Sequence, residues 1–161
     1  MNSNKTHPEC GSPETARELA LLEKAIGIAV QAHRGARDRY GSPYILHPLR
    51  VMARVETVPE KIVAVLHDVV EDTQWTFENL KNEGFPDEIV LALDCLTKRP
   101  GEAYEGLIGR AALSPLARRV KVADLEDNMD IRRCAQVGEP EEKRLARYLA
   151  AWRRLTGTHG P

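Results

Sequence analysis

Val63-Ala64-Val65-Leu66-His67-Asp68-Val69-Val70-Glu71-Asp72 is an apolar helical run that ends in polar residues able to hold a metal and move a proton. Side chains four apart on a helix share a face. A single helix from about Pro59 to Asp72 therefore sets His67 over Glu71 and Asp68 over Asp72, as two adjacent polar stripes. Ile62, Val65, Leu66 and Val69 recur at the spacing that buries a helix face, which puts His67 and Asp68 at the rim of a core. Glu71 and Asp72 fall in the last turn, where the negative end of the helix dipole costs an exposed carboxylate roughly 0.3–1 kcal/mol. A cation would offset that cost. The competing reading is a core histidine beside a solvated helix end, and further ligands elsewhere in the chain decide between the two.

Working outward, helix signals dominate. Ser12 and Pro13 open a first helix whose Leu19, Leu22, Ile26, Ala29 and Val30 carry an apolar stripe to about Ala32. His33 to Tyr44 is a loop with Arg34, Arg37 and Arg39, suited to wrapping an anion or simply to solvated charge. His47-Pro48 opens a second helix, since proline is tolerated in a first turn. Thr76 caps a helix that ends at Gly84, Pro86-Asp87 starts another through Leu96, and Glu102 to Leu113 and Ser114-Pro115 to Asn128 follow. In the last of these Asp124 shares a face with Lys121 and Asn128. A final helix from Pro140 carries Leu145, Tyr148, Leu149, Trp152 and Leu155, either as core or as a dimer surface. Alternating β-branched runs are absent, and the expected fold is all-α.

Composition sets outer bounds. The 161 residues, 42% of them hydrophobic, suit one domain over 12–156, with a disordered tail at 1–11 and a short C-terminal tail at 157–161. A net charge of -1 gives no footprint for a nucleic-acid polymer, so an anionic partner is expected to be small. Cys10, Cys95 and Cys134 suggest neither a disulfide framework nor a thiolate zinc site. With no run of about 18 apolar residues and no apolar leader, a soluble cytoplasmic protein with no membrane partner is expected; a homo-oligomer is left open.

The candidate ligands are His33, His47, His67, Asp68, Glu71, Asp72 and Asp124. Imidazole and carboxylate without thiolate favour a six-coordinate manganese, iron or similar ion over structural zinc. The segments Arg34-Gly35, Gly41-Ser42-Pro43-Tyr44-Ile45-Leu46-His47-Pro48, His67 to Thr73, Leu96-Thr97-Lys98 and Lys121-Val122-Ala123-Asp124 with Asn128 resemble the hydrolase domain of the guanosine tetraphosphate synthetase/hydrolases. That domain belongs to the HD superfamily of metal-dependent phosphohydrolases. The resemblance covers roughly residues 20–135 and is carried by specific motifs.

The resemblance implies a compact multi-helix HD-domain bundle acting as a stand-alone alarmone hydrolase. It would remove the 3′-pyrophosphate from guanosine tetra- or pentaphosphate. It makes His47, His67, Asp68 and Asp124 ligands of one divalent ion, expected to be manganese. Glu71 and Asp72 become the acid/base pair and Asn128 a substrate contact, while His33 is left as a supporting residue. Arg37, Arg39 and Lys98 would neutralise the polyphosphate. Two departures stand out. Asp38-Arg39 replaces an adjacent basic pair that faces the base and phosphates, leaving guanine or adenine open. Leu125-Glu126-Asp127 replaces a basic and aromatic stretch, from which a more acidic pocket wall is expected. The alternatives are an HD hydrolase for (p)ppApp or NADPH, and a non-catalytic alarmone-binding module.

Overall fold

The computed structural model describes residues 12–134 and 136–158, and the expected tail at 1–11 lies outside them. Its order is α1 (Pro13–Ala32), α2 (Leu46–Ala53), α3 (Val58–Leu66), α4 (Val69–Asp72), α5 (Phe77–Asn82), α6 (Asp87–Leu96), α7 (Tyr104–Leu113), α8 (Pro115–Asn128), a 3₁₀ turn (Ile131–Arg133) and α9 (Glu139–Thr156). The described residues form no strand; one isolated bridge, Arg37 to Pro43, closes the arginine loop. Local chemistry sets the starts of these helices. The hydroxyls of Ser12, Thr57, Thr76 and Ser114 each accept a backbone N–H in the first turn, satisfying donors that a helix start leaves unpaired. At the far end Gly157 takes the left-handed conformation that closes α9, at a φ of 72°.

The bundle is built around α3. Ile62, Val63, Ala64, Val65 and Leu66 are all buried, so this helix is enclosed on every side rather than on the one face its spacing suggested. α1, α2, α6 and α8 pack on it. Fully burying a side chain such as Leu66, Leu80 or Leu93 is worth about 1.5–3 kcal/mol each. A second, smaller cluster of Ile108, Leu125, Ala151 and Leu155 joins α7, α8 and α9. Of the α9 stripe Leu155 is core, Tyr148 and Trp152 are half-buried against this cluster, and Leu149 turns to solvent.

One expectation is corrected here. The opening stretch is not one helix to Asp72: α3 stops at Leu66, and α4 resumes at Val69. The His67 ring accounts for the break, because its Nδ1 bonds the Ala64 carbonyl at 2.7 Å and so captures an acceptor of the final turn. Asp68 sits between the helices at φ -101°, ψ -4°. His67 and Asp68 therefore stand at the junction of two helices, across which the Asp72 N–H still reaches the Asp68 carbonyl at 2.9 Å.

Candidate metal centre and active site

Three helical elements deliver the expected ligands to one point. His47 stands in the first turn of α2, His67 and Asp68 at the α3–α4 bend, and Asp124 on the inner face of α8. The Nε2 of His47 lies 3.2 Å from Asp124 Oδ1 and 3.7 Å from Asp68 Oδ2. The Nε2 of His67 lies 3.1 Å from Asp68 Oδ2 and 3.6 Å from Asp124 Oδ1. Donors at about 2.0–2.2 Å from a shared ion and at right angles to each other would be about 3 Å apart. One donor atom from each of His47, His67 and Asp124 falls within 4.8 Å of the others; Asp68 is not in that triad and joins it through its Oδ2 contacts with the two histidines. His33, by contrast, is buried against the Tyr44 ring, with centroids 4.9 Å apart, and stays outside this cluster.

The proton arithmetic of the cluster favours a cation. His67 Nδ1 faces a carbonyl oxygen, which only accepts, so Nδ1 carries the ring proton of the neutral form and Nε2 presents a lone pair. That Nε2 is buried without a hydrogen-bond partner. His47 is arranged alike, with Nδ1 2.8 Å from the Asp127 carboxylate. Two lone pairs and two carboxylates then converge, and a divalent ion resolves the repulsion. Without one, protons do so. Burial alone would lower both histidine pKa values. The carboxylates of Asp124 and Asp127 around His47, and of Asp68 and Asp124 around His67, outweigh it and raise them. The mixed nitrogen and oxygen donor set fits a divalent ion of the manganese or iron kind.

Asp124 is held on both oxygens. Its Oδ2 accepts from Lys121 Nζ at 2.8 Å and its Oδ1 from Asn128 Nδ2 at 2.6 Å. Burial would raise its pKa, but Lys121 and the two histidines hold it well below the usual carboxylate range. The Lys121 pairing expected for a surface acid is present, on a buried one. Asp68 accepts a hydrogen bond from the Tyr44 hydroxyl. It stays ionised, because the neighbouring His67 overcomes the effect of burial.

His47, Asp68 and Asp124 form the floor of a cleft of about 410 Å³, a size typical of small-ligand sites, with His67 adjoining them outside its lining. The cleft is lined also by Arg37, Arg39, Glu71, Asp72, Lys98 and Asn128. Every expected catalytic and substrate-contacting residue therefore borders the same space, whereas Arg34 is not part of its wall. Glu71 and Asp72 differ. Burial and then the Asp68 charge raise the pKa of Asp72. Glu71 Oε2 accepts the backbone N–H of Lys98 at 2.9 Å, tying α4 to the loop that follows α6. Arg110 pins that loop from below, donating to the carbonyls of Asp94 and Thr97 and to the Glu102 carboxylate.

Both sequence departures take on a meaning the spacing did not give. Asp38 lines the cleft but is also bonded within the protein: Oδ1 accepts the backbone N–H groups of Tyr40 and Ser42, each at 2.9 Å, and Oδ2 accepts Arg133 Nη2 at 2.9 Å. Glu126 and Asp127 do not supply the expected acidic wall, since neither lines the cleft, although Asp38 and Asp130 do. Glu126 instead accepts the Trp152 indole N–H at 3.0 Å, and Asp127 is fully buried behind His47. The far wall is supplied by Tyr104, Tyr148 and Arg144, which the sequence reading had not assigned to the site. Their helical spacing marked Tyr148 as packing, and nothing in it signalled a cleft.

An all-α bundle that brings histidine and aspartate side chains together beside its central helix has the HD-domain fold. The chain matches the solved structure described as "A metazoan ortholog of SpoT hydrolyzes ppGpp and plays a role in starvation responses" with a TM-score of 0.71. That match has 24% identity and covers 96% of this chain and 90% of the other. No family model matches the sequence. Among curated proteins it is 33% identical over 138 residues to a GTP pyrophosphokinase of Streptomyces coelicolor, covering 78% of this chain and 16% of that one. It is 31% identical over 132 residues to a guanosine-3′,5′-bis(diphosphate) 3′-pyrophosphohydrolase of Aquifex aeolicus, covering 73% of this chain and 18% of that one. The chain spans less than a fifth of the length of these curated relatives. It resembles the HD-type alarmone hydrolases in sequence and has their fold.

Proposed function

We propose that the protein is a metal-dependent phosphohydrolase that removes the 3′-pyrophosphate from guanosine tetra- or pentaphosphate, acting through one HD domain over residues 12–156. The observation that carries this reading is the convergence of His47, His67, Asp68 and Asp124 beneath a cleft whose rim holds two acids and three cations. Those four residues would hold one manganese ion. When bound, the ion supplies Lewis-acid chemistry that brings the pKa of water toward about 7. Lys121 and Asn128 keep the Asp124 oxygens aimed at the donor cluster, and the Tyr44 hydroxyl does the same for Asp68.

The reaction adds water across the bond between the 3′ oxygen and phosphorus, with hydroxyl going to phosphorus and a proton to the 3′ oxygen. Asp72, whose pKa is raised, is suited to hold and deliver that proton. Glu71, whose Oε2 accepts the Lys98 backbone N–H, is suited to accept one. Arg37, Arg39 and Lys98 face the cleft and would carry the polyphosphate charge. The guanine base is preferred on the likeness to guanosine-3′,5′-bis(diphosphate) hydrolases, since Asp38 lines the cleft and its carboxylate chemistry suits a guanine or an adenine edge alike.

The test is incubation of the purified protein with manganese and equal amounts of the guanine and adenine alarmones, NADPH and GTP, followed by product separation. Pyrophosphate released first from the guanine alarmone is the expected result. No pyrophosphate from either alarmone, with manganese shown to be bound, overturns the reaction. Faster cleavage of the adenine compound keeps the reaction and overturns the base.

A further inference from the structure

Behind the donor cluster, away from the cleft, lies a carboxylate with more partners than stability requires. Asp127 has no exposed surface, and a buried carboxylate is costly unless it is paired and hydrogen-bonded. Arg50, on α2, grips it with two nitrogens: Nε to Oδ1 at 2.7 Å and Nη2 to Oδ2 at 2.9 Å. Arg133, from the 3₁₀ turn, adds Nη1 to Oδ2 at 2.8 Å. Those guanidinium groups can only donate, so Asp127 is ionised and can only accept. The same Oδ2 stands 2.8 Å from His47 Nδ1. The ring must therefore place its proton on Nδ1 and turn the lone pair of Nε2 toward Asp124 and Asp68. The other end of Arg133 reaches Asp38 Oδ2 at 2.9 Å, in the loop that carries Arg37 and Arg39.

We propose that Asp127, clamped by Arg50 and Arg133, is the positioning residue that fixes the tautomer and aim of His47 as a metal ligand. This inference rests on reading the four donors as a metal centre. A ligating histidine whose second nitrogen faces a carboxylate is oriented and made more basic, and losing such a partner typically weakens metal affinity about 10- to 100-fold. Nothing in the spacing of Asp127 announced this. It is three residues past Asp124, and its partners come from α2 and from beyond the end of α8.

The experiment is a manganese titration of the full chain, with the free ion counted by its electron paramagnetic resonance signal and the fold checked by circular dichroism. Asp127→Asn is expected to bind manganese about 10- to 100-fold more weakly. Arg50→Lys, which keeps the charge but loses the two-pronged grip, should weaken it by a smaller factor. Glu126→Gln, altered at the neighbouring position that faces Trp152, should match the wild type. A readout that a purely structural role would not move is the His47 ¹⁵N spectrum of the zinc-loaded protein. Its Nδ1 is expected to be protonated with a carboxylate-bonded shift, and that shift should be lost in Asp127→Asn. A folded Asp127→Asn protein with wild-type manganese affinity overturns the positioning role. If that variant does not fold, a folded Arg50→Lys protein with undiminished affinity overturns it instead. A wild type that binds no manganese overturns the metal reading itself, and the positioning role with it.

Discussion

The floor and the rim of the cleft are built on opposite principles. On the floor, His47, His67 and Asp124 are buried, and each has a partner on the side away from the cluster: Asp127 for His47, the Ala64 carbonyl for His67, Lys121 for Asp124. On the rim, Arg37, Arg39 and Lys98 are exposed, and among the described residues the one side-chain bond that Arg37 makes is a long contact of 3.4 Å to the Gly41 carbonyl. An ion is small and demands fixed donors, whereas a polyphosphate is long and tolerates cations that adjust. Rigidity is concentrated where the ligand cannot adapt.

Breaking the floor should have the largest effect. His67→Ala and Asp124→Ala are each expected to lose more than the 100-fold in manganese affinity set by indirect partners, and turnover with it. Metal analysis of the purified variants checks this. Between floor and rim, Asp72→Asn should keep the metal and lose about 100- to 10,000-fold in kcat, the usual scale of a general acid or base. Metal content and kcat measured on one preparation separate the two effects.

The rim should yield least per residue. Arg37→Ala and Arg39→Ala are expected to raise KM by roughly tenfold or less, because exposed charges are screened, with kcat nearly kept. Salt should mimic the effect, and a KM series against ionic strength tests it. A pH series sharpens the same contrast. His47 and His67 have folded pKa values above 6.5. In the metal-free protein their protonation therefore adds stability that is fully present below about pH 6.5 and is lost as pH rises through the folded values. Manganese needs the neutral rings, so its affinity should climb over that same window. Melting curves with and without manganese are expected to diverge as pH rises.

The floor and rim were not equally legible in the sequence. Helix starts marked by Ser12, Thr76 and Ser114 could be read because a cap is a contact within three residues. The four candidate ligands emerged from motif spacing once a resemblance ordered them. What stayed hidden depended on partners distant along the chain. Asp38 read as a group facing a base, and its pairing with Arg133, 95 residues on, was not visible in the spacing. Asp127 looked like part of an acidic wall, and only Arg50, 77 residues earlier, shows it as a buried support. The bend at His67 escaped because apolar periodicity passes through it unbroken, and a single ring-to-carbonyl bond decides it.

Glu71 links floor and rim through the backbone. Its Oε2 accepts the Lys98 N–H, so the loop carrying a rim cation is anchored to α4 by a residue that itself lines the cleft. The Arg110 clamp holds the loop's other end through the Thr97 carbonyl and the Glu102 carboxylate. A cation fixed by its main chain while its side chain stays exposed makes a wall that is firm where it is attached and adjustable where it meets a polyphosphate.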